Sequence, residues 1–134
     1  MKLSELQKIS HEQSADKGFW DLYDGLTLAN FEGVEGREAQ RLLHIAILSQ
    51  KLALITSEVT EALEDLRAGK EFVGEDALTI ADSGKPEGFA SELADVIIRA
   101  LDLGGALGID LEDVIVKKLE YNANSRGHLH GKHF

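Results

Sequence analysis

Glu58 and Glu61 stand three residues apart, and Glu92 and Asp95 repeat that spacing further along the chain. On a helix, residues at this spacing share one face about 5–6 Å apart, so each pair forms a pincer of two carboxylates. Like charges so placed cost a helix roughly 0.2–0.5 kcal/mol per pair, a cost that a bound cation offsets. Carboxylate oxygens suit hard divalent ions, Mg²⁺ or Mn²⁺, and Mg²⁺ typically binds jointly to a few carboxylates and to substrate phosphates. Neither pair offers the histidine three residues after a glutamate that di-iron bundles use, so iron is disfavoured. The competing reading, an ordinary solvated helix face, suits one such pair better than two matched ones.

The elements that must carry these acids are helical. A single proline, Pro86, and abundant alanine, leucine, glutamate and lysine favour helix over most of the chain. A first helix is expected over 2–17, with a weak apolar stripe of Leu3, Leu6 and Ile9 and a stop at Gly18. Residues 18–36, with four glycines and Phe19, Trp20, Tyr23 and Phe31, read as a packed loop or short helical turns. Residues 37–68 lack glycine and proline and read as one long helix stopped by Gly69. Residues 69–88 form a long, polar, glycine-bearing loop, expected to be a lid or a disordered tip. A third helix from Phe89 ends around Gly104-Gly105 or Gly108, and Asp110 resembles the N-cap of a fourth. The expected fold is therefore all-α, a single domain over 1–134 built as a four-helix bundle, either alone or completed by oligomerisation as a homodimer or homotetramer.

At about 100° per residue, Glu58, Glu61 and Asp65 fall on the shoulder of their helix's apolar stripe. Glu92, Asp95 and Arg99 occupy the matching shoulder of theirs, whereas Glu64 and Asp102 point toward solvent or a more distant layer around the site.

Fourteen Lys and Arg against twenty-four Asp and Glu give a net charge of −10, which disfavours long nucleic acids and anionic membranes as partners. The chain has no cysteine, which excludes disulfides, thiolate zinc sites and cysteine nucleophiles. The N-terminus lacks the apolar core of a signal peptide and no apolar run approaches the length that spans a bilayer, so a cytoplasmic protein without a membrane partner is expected.

Several segments together resemble the MazG-like branch of the all-α nucleoside triphosphate pyrophosphatases, and the resemblance runs over nearly the whole chain. They are Lys17-Gly18-Phe19-Trp20-Asp21, Ser57-Glu58-Val59-Thr60-Glu61, Lys85-Pro86-Glu87-Gly88-Phe89, Glu92-Leu93-Ala94-Asp95 and Lys118-Leu119-Glu120-Tyr121-Asn122. Many relatives carry a further glutamate where this chain has Ser57, and the 69–88 loop is longer than in compact members. The resemblance implies Mg²⁺-dependent hydrolysis of a nucleoside or deoxynucleoside triphosphate to the monophosphate and pyrophosphate. Glu58, Glu61, Glu92 and Asp95 would hold the metal and one of them would act as general base.

Charge on the departing pyrophosphate calls for cations, and the last helix has them. Lys118, Asn122 and Arg126 form one row at i, i+4 spacing, able to present an ammonium, an amide and a guanidinium to phosphate oxygens. A lysine lying along the bundle edge is the alternative for Lys118. Trp20, the one tryptophan, is a candidate for stacking on a base, with core packing the commoner fate of such a ring. His128, His130 and His133 sit in a glycine-bearing tail without fixed geometry and read as weak phosphate contacts rather than a zinc site. Two rival functions stay open: a base-selective hydrolase of the dUTPase or dCTPase kind, and a non-enzymatic helical module whose acids bind a basic partner.

Overall fold

The computed structural model describes residues 1–124, so Arg126, His128, His130 and His133 lie outside the described residues. Among the described residues the chain forms five α-helices: α1 Leu3–Asp16, α2 Asp21–Leu28, α3 Gly33–Arg67, α4 Phe89–Ala106 and α5 Leu111–Asn124. A short 3-10 helix, Gly74–Ala77, and an antiparallel pair of two-residue strands, β1 Thr79–Ile80 and β2 Pro86–Glu87, join α3 to α4. The all-α class holds, with one helix more than expected.

The boundaries show what ends each helix. Gly18 and Gly69 take positive φ, 82° and 76°, immediately beyond α1 and α3, the conformation that closes a helix at lowest cost to glycine. At the start of α5 the Asp113 amide donates to Asp110 Oδ1 at 3.1 Å, the expected cap. The glycine-rich stretch after α1 is helical for eight residues, as α2, and α3 begins at Gly33 rather than Arg37. Gly36 lies in the first turn of α3, where a Cβ would sit 3.0 Å from the Phe31 carbonyl carbon, so glycine suits the tight entry of the chain into the helix.

Gly104 and Gly105 do not end α4. They lie within it, and their missing side chains let α1 approach: a Cβ on Gly104 would come within 2.7 Å of Gln7 Nε2, and one on Gly105 within 2.8 Å of His11 Cβ. Gln7 is buried and its Nε2 donates to the Ile109 carbonyl at 2.7 Å, tying α1 to the connection between α4 and α5. α4 thus packs between α1 and α3, α2 lies on the upstream half of α3, and α5 packs on α1.

The core of the single chain is small. The buried apolar residues among those described are Trp20, Ala62, Ala77 and Leu101. The chain exposes 10033 Å², against roughly 6,900 Å² for a compact monomer of its mass. Ten residues outside the described set could supply at most about 1,600 Å² of the difference, even as fully extended chain. Apolar side chains on α3 contribute to this surface. Ile45, Leu52, Val59 and Leu66, each seven residues from the next, are 43%, 54%, 52% and 40% exposed. α3 is also long and apolar enough, by length and composition alone, to cross a membrane, contrary to the expectation from uninterrupted runs. The polar residues Ser49, Gln50 and Lys51 interrupt its apolar stretch, which is why a count of consecutive apolar residues passes over it.

Candidate active site

The four acids come from the downstream half of α3 and the first two turns of α4, brought together because these helices pack side by side. Carboxylate oxygens of Glu58, Glu61 and Glu92 all lie within 4.8 Å of one another. Asp95 stands outside this tightest group, and it lines the same hollow of about 440 Å³ together with all three. Glu58 is only 9% exposed, and Arg99 Nε donates to its Oε1 at 2.7 Å. That charge-assisted bond holds the carboxylate in place and leaves its second oxygen for another partner.

Glu92 is where the cost of gathering these charges is concentrated. Desolvation, the charges of Glu61, Glu58 and Asp95, and a carboxyl hydrogen bond with Glu61 together push its pKa up to about 7. Its Oε2 is buried and accepts no hydrogen bond. Asp95 is also raised, by desolvation and then by Glu58, with Arg99 and Lys85 pulling the other way. A carboxylate group that is crowded, partly dehydrated and short of donors is what a hard cation would satisfy, so the donor set fits Mg²⁺ or Mn²⁺.

The 69–88 segment is not a free tip. Lys70 Nζ meets Asp65 Oδ1 at 2.9 Å, which raises the Lys70 pKa, and the Lys70 amide donates to the Asp65 carbonyl at 3.1 Å. The β1–β2 pair then turns the chain back, closed by the Ala81 amide donating to the Lys85 carbonyl at 2.9 Å. A Cβ on Gly88, at φ 101°, would lie 2.8 Å from the Ala77 carbonyl oxygen, so only glycine lets the segment press against the start of α4. Lys70, Lys85, Pro86 and Glu87 consequently form one wall of the acid hollow.

Glu58 and Asp95 also line a second hollow, of about 220 Å³, with Ser10, Ser14, Lys17, Phe19 and Arg99. A third, of about 260 Å³, shares Ser14, Phe19, Arg99 and Asp102 with it and reaches Trp20 and Lys51. Each approaches the lower end of small-molecule pockets, about 300 Å³.

The candidate binding residues fare differently. Trp20 is 1% exposed, the most deeply buried large side chain, so its ring has no free face on which a base could stack. It packs edge-on against His11 and Tyr23, and Lys51 Nζ lies 4.6 Å from its ring centroid. Its Nε1 donates to Asp102 Oδ1 at 2.8 Å, and His11 Nδ1 lies 2.9 Å from the same oxygen. Asp102 therefore ties α4 to α1 rather than facing solvent, whereas Glu64 is exposed as expected. Phe19, 60% exposed at the edge of both smaller hollows, is the aromatic surface open to a ligand. Lys118 and Asn122 are exposed on α5 and line none of the three hollows.

Lys70 and Lys85 are the residues that sequence reasoning missed as part of this hollow. Their signal was the alternation of turn residues around them, Gly69, Gly84, Pro86 and Gly88, which marks a folded-back segment rather than a slack one. The chain matches no family profile, no curated protein and no solved structure.

Proposed function

We propose that the chain is a Mg²⁺-dependent nucleoside triphosphate pyrophosphohydrolase of the MazG-like kind, acting as a homo-oligomer. The observation that carries this reading is the convergence of Glu58, Glu61 and Glu92, with a buried, unsatisfied Glu92 oxygen, beside hollows of small-ligand size. The triphosphate belongs in the acid hollow and the nucleoside beyond Glu58 and Asp95, against Phe19. A bound divalent ion would neutralise phosphate charge and acidify the attacking water. Glu58, Glu61, Glu92 and Asp95 would hold that ion, Arg99 fixes the orientation of Glu58, and a carboxylate of the cluster takes the proton from water. Water attacks a phosphorus of the triphosphate, the phosphoanhydride bond breaks, and pyrophosphate leaves as the nucleoside monophosphate is released.

The exposed seam of Ile45, Leu52, Val59 and Leu66 supports a second copy as the covering surface. Its seven-residue repeat suits the interdigitation of two helices. The excess surface, about 1,500 Å² after allowance for the ten undescribed residues, is of the order that each partner buries in an obligate dimer. The seam continues past Glu58 and Glu61 to the far end of α3, so a partner helix would lie alongside the acid row.

Release of pyrophosphate from a panel of canonical and modified nucleoside triphosphates, with Mg²⁺ and with chelator, tests the activity. Mg²⁺-dependent release of pyrophosphate and monophosphate is the expected outcome, and turnover of one base alone would narrow the reading to a base-selective hydrolase. Absence of turnover with every nucleotide, together with tight capture of a basic protein, would favour the non-enzymatic module instead.

A further inference from the structure

The acid hollow gathers negative charge, yet a triphosphate is itself an anion, and a divalent ion cannot by itself satisfy the outer oxygens of the phosphate chain. A cation on the opposite wall is required, and the row expected to provide it, Lys118 and Asn122, lines no part of this hollow in the single chain. Two lysines do line it, Lys70 and Lys85. They are not equivalent. Lys70 is committed to Asp65 at 2.9 Å, whereas Lys85 makes no ion pair among the described residues.

The backbone around Lys85 is held firmly although its side chain is not. Its carbonyl accepts from the Ala81 amide at 2.9 Å, its amide donates to Ser83 Oγ at 3.4 Å, and the next residue, Pro86, has a fixed φ and pairs with Ile80. Ser91 Oγ, from the first turn of α4, donates to the Pro86 carbonyl at 3.2 Å. The hairpin is thereby fastened to the helix that carries Glu92 and Asp95. An exposed, long and unpaired side chain on a fixed base can reach an incoming anion without rearrangement of the segment.

We propose that Lys85 is a substrate-binding residue that grips the phosphate chain from the hairpin, in the same hollow as the carboxylates that would hold the cation. This deepens the pyrophosphohydrolase reading, on which it rests for its substrate, and it gives the 69–88 segment a binding function. The ammonium acts as a point charge that donates to phosphate oxygens, as lysine does in other phosphate sites. It makes no covalent bond to the substrate and transfers no proton.

The alternative role for Lys85, balancing the acids of the empty protein, differs in what it predicts for binding of a phosphate chain. If the lysine only offsets acid charge, removing it leaves affinity for a phosphate chain unchanged and tightens binding of a bare divalent ion. If it grips phosphate, its removal weakens binding of the chain while the bare ion binds at least as well as before.

Calorimetric titration of the full chain and of Lys85→Ala and Lys85→Arg, with Mn²⁺ alone and then with inorganic tripolyphosphate in saturating Mg²⁺, separates the two. We expect Lys85→Ala to bind tripolyphosphate about tenfold or more weakly, the loss of one charge-assisted contact, with Mn²⁺ affinity undiminished. Lys85→Arg should recover most of the difference. Equal tripolyphosphate affinity for wild type and Lys85→Ala overturns the assignment even if nucleotides are hydrolysed, and so does a wild type that binds no tripolyphosphate. A wild type that binds tripolyphosphate through Lys85 but hydrolyses no nucleotide sustains the assignment and refutes the hydrolase reading.

Discussion

Along its downstream half α3 buries acids: Glu58 and Asp65 are each 9% exposed, and α4, Arg99 and Lys70 close over them. Along a seam that runs from its upstream half to its far end the same helix exposes large apolar side chains, with Ile45 at 43%, Leu52 at 54%, Val59 at 52% and Leu66 at 40%. Both arrangements run against the usual partition, since acids are almost never buried unless paired and large apolar side chains gain about 1.5–3 kcal/mol each when buried. The difference teaches that the acid row and the apolar seam each lack a different partner. The buried acids lack positive charge, which a divalent ion supplies, and the exposed apolar seam lacks cover, which a second copy of the helix supplies.

Breaking the acid cluster should have the largest effect. Asp95→Asn preserves shape, removes one negative charge and leaves an amide that ligates Mg²⁺ poorly. Pyrophosphate release should fall by roughly 100-fold or more, beyond the 10–100-fold typical of groups that only support metal ligands. Near-wild-type turnover would return the acids to the status of a solvated face.

Breaking the apolar seam comes next. Leu52→Glu or Val59→Glu places a charge in the seam, and each should weaken self-association by about tenfold or more through lost burial alone. Sedimentation or light scattering checks this. A wild type that is monomeric at micromolar concentration while retaining full activity would end the second-copy account and leave the metal account intact.

Smaller effects probe how the acids are held without a cation. Arg99→Met removes the donor on Glu58 and should cost about 1–2 kcal/mol of stability in chelator. Part of this should return in Mg²⁺, because the ion offers Glu58 another partner; a loss that Mg²⁺ leaves unchanged would make Arg99 purely structural.

The smallest effect is on pH dependence. The Glu92 pKa is raised from 4.5 to about 7 in the folded state. The folded chain therefore binds more protons than the unfolded chain between those values, and the stability contributed by this group falls as pH rises through that window. In chelator the melting temperature should decline with pH by an amount that Glu92→Gln abolishes. In Mg²⁺ the decline should flatten, since the ion displaces the proton and binds more tightly as pH rises. A melting curve with the same pH dependence in wild type and Glu92→Gln would contradict the crowding of charges at Glu92.

The acid pairs and the helices that bear them were legible because both are local: a three-residue spacing and an apolar period state which face a carboxylate occupies before any tertiary contact is known. The Asp110 cap and the stops at Gly18 and Gly69 were legible for the same reason. Contacts between distant segments were not. Asp102 meets His11 and Trp20 across most of the chain, and nothing near Asp102 distinguishes it from a solvated acid. Gly104 and Gly105 look like a helix end because glycine is the usual helix stop, and their role becomes visible only once Gln7 and His11 are seen packed against them. Lys85 was visible as a residue but not as part of the hollow, since its position depends on the hairpin folding back over α4.

The central claim is that the downstream half of α3 and the start of α4 form a cation site, and it is tested most directly by the melting temperatures of wild type and Glu92→Gln, each in chelator and in millimolar Mg²⁺. Because the substitution relieves repulsion in the empty protein, Glu92→Gln should melt at or above wild type in chelator. Because binding to the folded state adds stability in proportion to affinity, wild type should gain more from Mg²⁺. That crossing of the two responses is the result the account predicts. Equal Mg²⁺ responses in the two proteins would contradict it.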